Sequence, residues 1–190
     1  MKICNEKISS KICKFKSVNL YFQDESRFGL FTRNGKALTA KGVKPICPFH
    51  QVFKSTYLYG SFSPIDGHSF LLELPFCNSN LFELYLDEFS RQRPEELKVI
   101  VLDNGAFHKA KSLVIPDNIC LIFLPPYSPE LNPAEKIWQK FKRDFTNRLF
   151  KSLNDLSEYV CSLVSKLTIY EVISITSYEY IFFGNYWTSL

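Results

Sequence analysis

Apolar and polar positions change their spacing along this 190-residue chain. From Val18 to Asp24 they alternate, with Leu20, Phe22 and Asp24 on one face, and that period of two predicts a strand. Short runs at Phe28 to Thr32 and Lys36 to Ala40 flank Arg33-Asn34-Gly35, and Asn-Gly between two such runs predicts a hairpin turn. Lys41-Gly42, followed by Pro45 and Pro48, reads as a connection. Val52 to Phe62 and Phe70 to Leu74 are the next strand candidates, joined through Pro64 and Asp66-Gly67, which suit a turn. Up to Pro75 the pattern is that of an antiparallel meander.

The spacing then becomes helical. Leu81, Phe82, Tyr85, Leu86 and Phe89 follow a capping Asn78 and predict a helix that ends before Pro94. Leu97 to Asp103 is almost continuously apolar and reads as a strand covered on both faces, as does Ile119 to Leu124. A short helix is expected between them, around Lys109 to Val114, ended by Pro116. Pro125 to Pro133 is too rich in proline to continue either element. Asn132 is the expected N-cap of the next helix, with Pro133 at its first position and Glu135 in its first turn. In that helix Ile137, Trp138, Phe141, Phe145 and Leu149 form an apolar stripe, and Lys136, Lys140 and Arg143 fall opposite. Glu135 shares a meridian with Gln139 and Lys142 at the stripe's border, where a side chain looks into a cleft. Leu156, Tyr159, Val160, Leu163 and Leu167 predict a further helix from Asn154, and the tail through Ile173, Ile175, Tyr178 and Phe182 fits helix or strand. The sum is an α/β fold, a mixed sheet with helices packed on it.

Composition narrows the class. The chain is 46% hydrophobic and 16% aromatic, enough for a substantial core and against disorder over its whole length. The net charge of +4 permits a polyanionic partner without demanding one, but residues 1–50 hold ten Lys or Arg against three Asp or Glu. Six scattered cysteines form no CxxC pair and suit a reducing compartment, with Cys120 expected to be buried. No apolar signal segment and no run of membrane-spanning length occurs, so the expected location is cytoplasmic, near the nucleoid. Neither a Gly-rich phosphate loop nor a serine elbow is present, which points away from nucleotide-triphosphate and serine-nucleophile chemistry.

Three acids stand at the ends of predicted elements: Asp24, Asp103 and Glu135. Carboxylates packed together without a cation repel, whereas divalent Mg2+ prefers oxygen ligands and supports phosphodiester chemistry. Each acid also has a plain structural reading. Asp24 ends a strand beside the equally acidic Glu25; Asp103 starts a turn with Asn104-Gly105; Glu135 favours the helix dipole, with Glu130 as its rival. His108 lies near enough to Asp103 to orient substrate or a metal-bound water, or it is an ordinary surface or cap residue.

Taken together, QDESRFGL (23–30), VLDNGAFHKAK (101–111) and LPPYSPELNPAEKIWQKFK (124–142) resemble the catalytic domain of mariner-like transposases. The likeness is greatest to the bacterial insertion-sequence branch of that DDE superfamily, and it runs from about Val18 to Leu167. It implies a ribonuclease H-like fold: a mixed five-stranded sheet, its first three strands antiparallel, flanked by helices. On these positions the acidic triad would be Asp24, Asp103 and Glu135, holding Mg2+, or Mn2+ as substitute, for cleavage of DNA ends and strand transfer. Asn104, His108, Tyr127 and Asn132 would support the site, and Lys136, Lys140, Lys142 and Arg143 would position phosphates. The implied partners are double-stranded DNA, as element ends and target, and a second copy in a homodimer on DNA.

The expected organisation is a basic lead-in or linker remnant at 1–16, the catalytic domain at 17–170 and a C-terminal extension at 171–190. Met1 to Lys16 is too short for the helix-turn-helix modules of full-length relatives, so recognition would come from a separate polypeptide or be lost. The gap from Asp103 to Glu135 is a few residues shorter than usual for the family. Two other readings therefore stay open: a catalytically silent remnant acting in DNA binding or assembly, and a generic ribonuclease H-like nuclease.

Overall fold

The structure, a computed structural model, describes residues 11, 13–31, 39–44, 51–110, 113–126, 128–179 and 181. Its centre is a five-stranded sheet in the order β3-β2-β1-β4-β5. The strands are β1 (Ser17–Gly29), β2 (Ser55–Phe62), β3 (Ser69–Leu74), β4 (Glu96–Leu102) and β5 (Ile119–Phe123). β1, β2 and β3 pair antiparallel, while β4 and β5 run parallel to β1. This is the ribonuclease H-like mixed sheet expected from the sequence. The helices are α1 (Ser79–Arg91), α2 (Ala134–Phe145), α3 (Leu153–Ser165) and α4 (Ile169–Thr176).

Alternation along β1 divides the core in two. Leu20, Phe22 and Phe28 join Val99, Val101, Ile137, Trp138, Phe141, Leu156 and Val160 beneath α2 and α3. Tyr21 points the other way and joins Tyr59, Phe82, Tyr85, Phe89, Ile100 and Leu102 beneath α1. β4 is buried along its whole length, as its apolar run predicts. α1 begins as expected, with the Asn78 side chain accepting from the Leu81 amide. At the β2–β3 turn, Gly67 takes φ +71°, a left-handed conformation that suits glycine, and Ile169 of α4 packs directly on it.

Several local expectations shift. β1 runs through to Gly29, so Phe28 is not the start of a separate strand and Asp24 lies inside β1 rather than at its end. Eight consecutive partners on β2 hold the strand extended across the acidic and polar stretch 23–27. The short helix expected around Lys109 to Val114 is instead a 3-10 turn at Ala106–Lys109. Leu149 falls beyond the C-terminus of α2 and is exposed, leaving the stripe to Ile137, Trp138, Phe141 and Phe145. Leu167 falls just past the end of α3, and Cys120 is half-buried rather than buried, on a β5 whose middle is only partly covered. α4 spans the position 170/171 at which an extension was expected to begin, and resolves the ambiguous tail to helix through Thr176. The turn at Arg33-Asn34-Gly35, the strand from Lys36, Pro45, Pro48, Tyr127 and Phe182 lie outside the described residues. Among the described residues no single helix is long and apolar enough to cross a membrane.

Candidate metal centre

β1 and β4 run side by side in parallel, with Phe22 opposite Val101. Two residues further along stand Asp24, on the α2 face of β1 by the period-two alternation of side chains, and Asp103, one residue past the end of β4. Across the other ladder Asp24 faces Gly60 of β2. A Cβ on Gly60 would lie 2.7 Å from the Trp138 ring, so the missing side chain lets α2 settle against the sheet beside Asp24. The first turn of α2 then brings in Glu135. Asp24, Asp103 and Glu135 line one pocket of about 430 Å³, with Asn104, Asn132 and the Leu124–Pro126 segment in its wall.

The entry to α2 is fixed by Asn132, which is buried. Its Nδ2 donates to the main-chain oxygen of Gln23 at 2.8 Å, and its Oδ1 accepts from the Ala134 amide at 3.2 Å. The regular helix starts at Ala134, one residue later than expected, after Pro133 at φ −65°. Pro133 thus takes the cap position expected of Asn132, and Asn132, just before it, ties the first amide of α2 to the residue preceding Asp24. Asn104 donates its side-chain amide to the Leu124 carbonyl and joins the loops after β4 and β5.

Electrostatics sets the acids apart. Burial first, then the neighbouring charges of Glu25, Glu135 and Asp103, push the Asp24 carboxyl up to about 8. Asp103 is held below the usual carboxylate range, chiefly by His108. His108 is buried and touches the rings of Phe82 and Phe107. Its Nδ1 lies 2.8 Å from Asp103 Oδ1, a close ion-pair contact too bent for a regular hydrogen bond, and its Nε2 lies 3.1 Å from Glu25 Oε1. Burial works to lower its pKa, but the two carboxylates outweigh it and raise it to about 9, so the ring is an imidazolium at neutral pH.

Among the described residues no three His, Cys, Asp or Glu side chains close on one point as a ready-made metal cage. The donor set nevertheless fits a hard divalent cation. Three carboxylates share the pocket, and Asp24 is burdened by the charges that a cation would relieve. Of the other acids weighed from the sequence, Glu130 lines a neighbouring groove together with Glu135, and Glu25 points to the opposite face of the sheet. That placement follows from period two, which puts Gln23 and Glu25 together and away from Asp24. What the sequence reading missed is that Glu25 partners His108 and that the Gln23 carbonyl anchors Asn132.

The basic candidates fare differently. Lys140 is paired with Glu171, and Lys136 sits over the Tyr178 ring at 4.3 Å. Arg143 is exposed, with only a loose 4.0 Å contact to Asp144. Lys142 lines a second groove with Arg27, Lys54 and the stacked rings of Phe31 and Phe53.

A family profile described as DDE superfamily endonuclease matches residues 19–157. An uncharacterized protein, y4pE/y4sA of Sinorhizobium fredii (strain NBRC 101917 / NGR234), is 40% identical over 114 residues, covering 58% of this chain and 84% of that protein. Among solved structures, a Mos1 transposase paired-end complex with left transposon end superposes with TM-score 0.65 at 16% identity. A pre-cleavage Mos1 transpososome gives TM-score 0.66 at 15% identity, and a Mos1 mariner paired end complex with Mn gives 0.63 at 17%. Each match covers 92% of this chain, which spans 56% of the length of those transposase chains. At these identities the likeness is one of fold.

Proposed function

Since the chain belongs to the DDE superfamily endonuclease family, we propose that it is the catalytic core of a transposase, acting by metal-dependent cleavage and strand transfer on double-stranded DNA. The observation that carries this reading is the meeting of Asp24, Asp103 and Glu135 in one pocket, each delivered by a different element. These three would hold Mg2+ or Mn2+, which supplies Lewis acidity at a phosphodiester and lowers the pKa of an attacking water or hydroxyl. Asp24 would be an anion only once its burial among like charges is compensated.

The remaining residues position these groups. Asn132 fixes the distance between β1 and the turn that presents Glu135, and Asn104 closes the wall formed by the loops after β4 and β5. Lys136, Lys142 and Arg143 would meet phosphates and set the strand's register without reading bases. Lys140 has less to offer because Glu171 already holds its ammonium. Two of the Mos1 structures are paired-end complexes, one of them with the left transposon end, which supports DNA ends and a second copy as partners of this chain.

The test is supercoiled DNA incubated with the protein and Mn2+, compared with Asp103→Ala and Glu135→Gln. Nicking by the wild type that both substitutions lower by at least about a hundredfold, the scale of losing an essential electrostatic group, is the expected result. Wild-type activity no greater than that of the substituted proteins would leave a silent DNA-binding remnant as the better reading. Preference for an RNA–DNA hybrid would favour a generic nuclease.

A further inference from the structure

Asp103 stands one residue past the end of β4, and its side chain is largely exposed. One of its oxygens, Oδ1, accepts from the Gly105 amide at 2.9 Å and meets His108 Nδ1 at 2.8 Å. Neither contact takes Oδ2, which is left for the pocket. Gly105 makes this approach possible, because a Cβ there would lie 3.0 Å from His108 Nδ1 and 3.1 Å from Asp103 Oδ1. The imidazole is fixed in turn. Glu25 Oε1 meets its Nε2 at 3.1 Å and also accepts from Gln23 Nε2 at 2.7 Å. Both Glu25 and His108 are almost fully shielded from solvent, against the α1 side of the sheet.

We propose that Glu25 and His108 are positioning residues, a buttress reaching from the α1 face that holds the Asp103 carboxylate in one orientation for a divalent cation. The inference rests on the metal-site reading above and adds to it a pair of residues that line no part of the pocket. The buttress completes a continuous path of contacts. It runs from Asp103 through His108 and Glu25 to Gln23, and from the Gln23 carbonyl through Asn132 to the start of α2. Asp24 lies on the strand between Gln23 and Glu25, so the same contacts hold the backbone on either side of it. Hydrogen-bonded supports of this kind commonly change metal affinity without touching the ion.

The experiment measures Mn2+ dissociation constants of the whole chain by electron paramagnetic resonance of the free ion, with Tm recorded in parallel without metal. Asp103→Ala is expected to abolish binding. His108→Ala and Glu25→Leu, the latter keeping the side-chain volume, are expected to weaken it roughly tenfold to a hundredfold. Glu25→Gln, whose amide oxygen still accepts from Nε2, should stay near wild type. If His108→Ala does not fold, the two Glu25 variants decide the matter. Wild-type affinity in Glu25→Leu, with Asp103→Ala non-binding, would overturn the buttress and leave the metal site standing. Equal binding by wild type and Asp103→Ala would instead overturn the metal-site reading itself.

Discussion

Asp24 is an acid and His108 a base, yet both make the metal-free protein less stable as pH rises. For Asp24 the folded-state value of about 8 exceeds the ordinary 3.8, so the folded chain retains a proton that the unfolded chain gives up, and stability declines from about pH 4 to pH 8. For His108 the folded value of about 9 exceeds 6.5, so its contribution is complete below pH 6.5 and is lost as pH rises through 9. Asp103, held low, contributes in the other sense and loses its share on acidification. Asp24→Asn removes the first of these contributions. In chelator at pH 9 it should melt above the wild type by roughly 3 °C or more, a shift of about 1 kcal/mol for a domain of this size, and the gap should close towards pH 4. Saturating Mn2+ should then raise the wild-type Tm and leave that of Asp24→Asn nearly unchanged. Parallel melting curves for the two proteins from pH 4 to pH 9 would remove burial and repulsion as the cause.

At the scale of elements, the site depends on how closely α2 approaches the sheet. Gly60 is the point of contact, since Trp138 and Phe62 occupy the space its side chain would need. Gly60→Val should therefore destabilise by about 1–3 kcal/mol, the usual range for overpacking a core, and lower Mn2+ affinity by moving Glu135. Asn132→Ala should cost about 1–2 kcal/mol, because it removes the acceptor of the buried Ala134 amide and the side-chain donor to the Gln23 carbonyl. Chemical denaturation with both variants checks these values, and wild-type stability in either would show that α2 is placed by other contacts. The sequence showed α1, α2, β4 and β5 clearly, since Asn78, the Pro133 boundary and the two apolar runs are local signals. It hid the length of β1. Residues 23–27 have no apolar alternation to announce a strand, and only their pairing with β2 holds them in one. Buried Lys98, which donates to the Arg93 carbonyl, likewise stood in plain view inside an apolar run without announcing its partner.

For the whole molecule, the acids were legible as candidates but their meeting was not, because the parallel pairing of β1 with β4 is a long-range contact. The Glu25–His108 contact joins residues 83 apart in sequence and was invisible for the same reason. Charge is similar: the sequence gives the count of cations, and the fold decides which remain available. The groove lined by Arg27, Lys54 and Lys142 has no carboxylate among its described lining residues, whereas Lys140 is neutralised by Glu171. Each phosphate neutralised releases counterions and adds about −0.9 to the slope of log Kobs against log salt. Replacing both Lys54 and Lys142 by Glu should therefore make the slope shallower by about 2 on duplex DNA, while Mn2+ affinity stays at the wild-type value. Lys140→Gln should leave the slope almost unaltered, because that charge is already paired within the protein. Binding titrations from low to moderate salt separate the cases. An unchanged slope in the double variant would place the DNA elsewhere, and a full unit lost in Lys140→Gln would mean that DNA displaces Glu171 from its lysine.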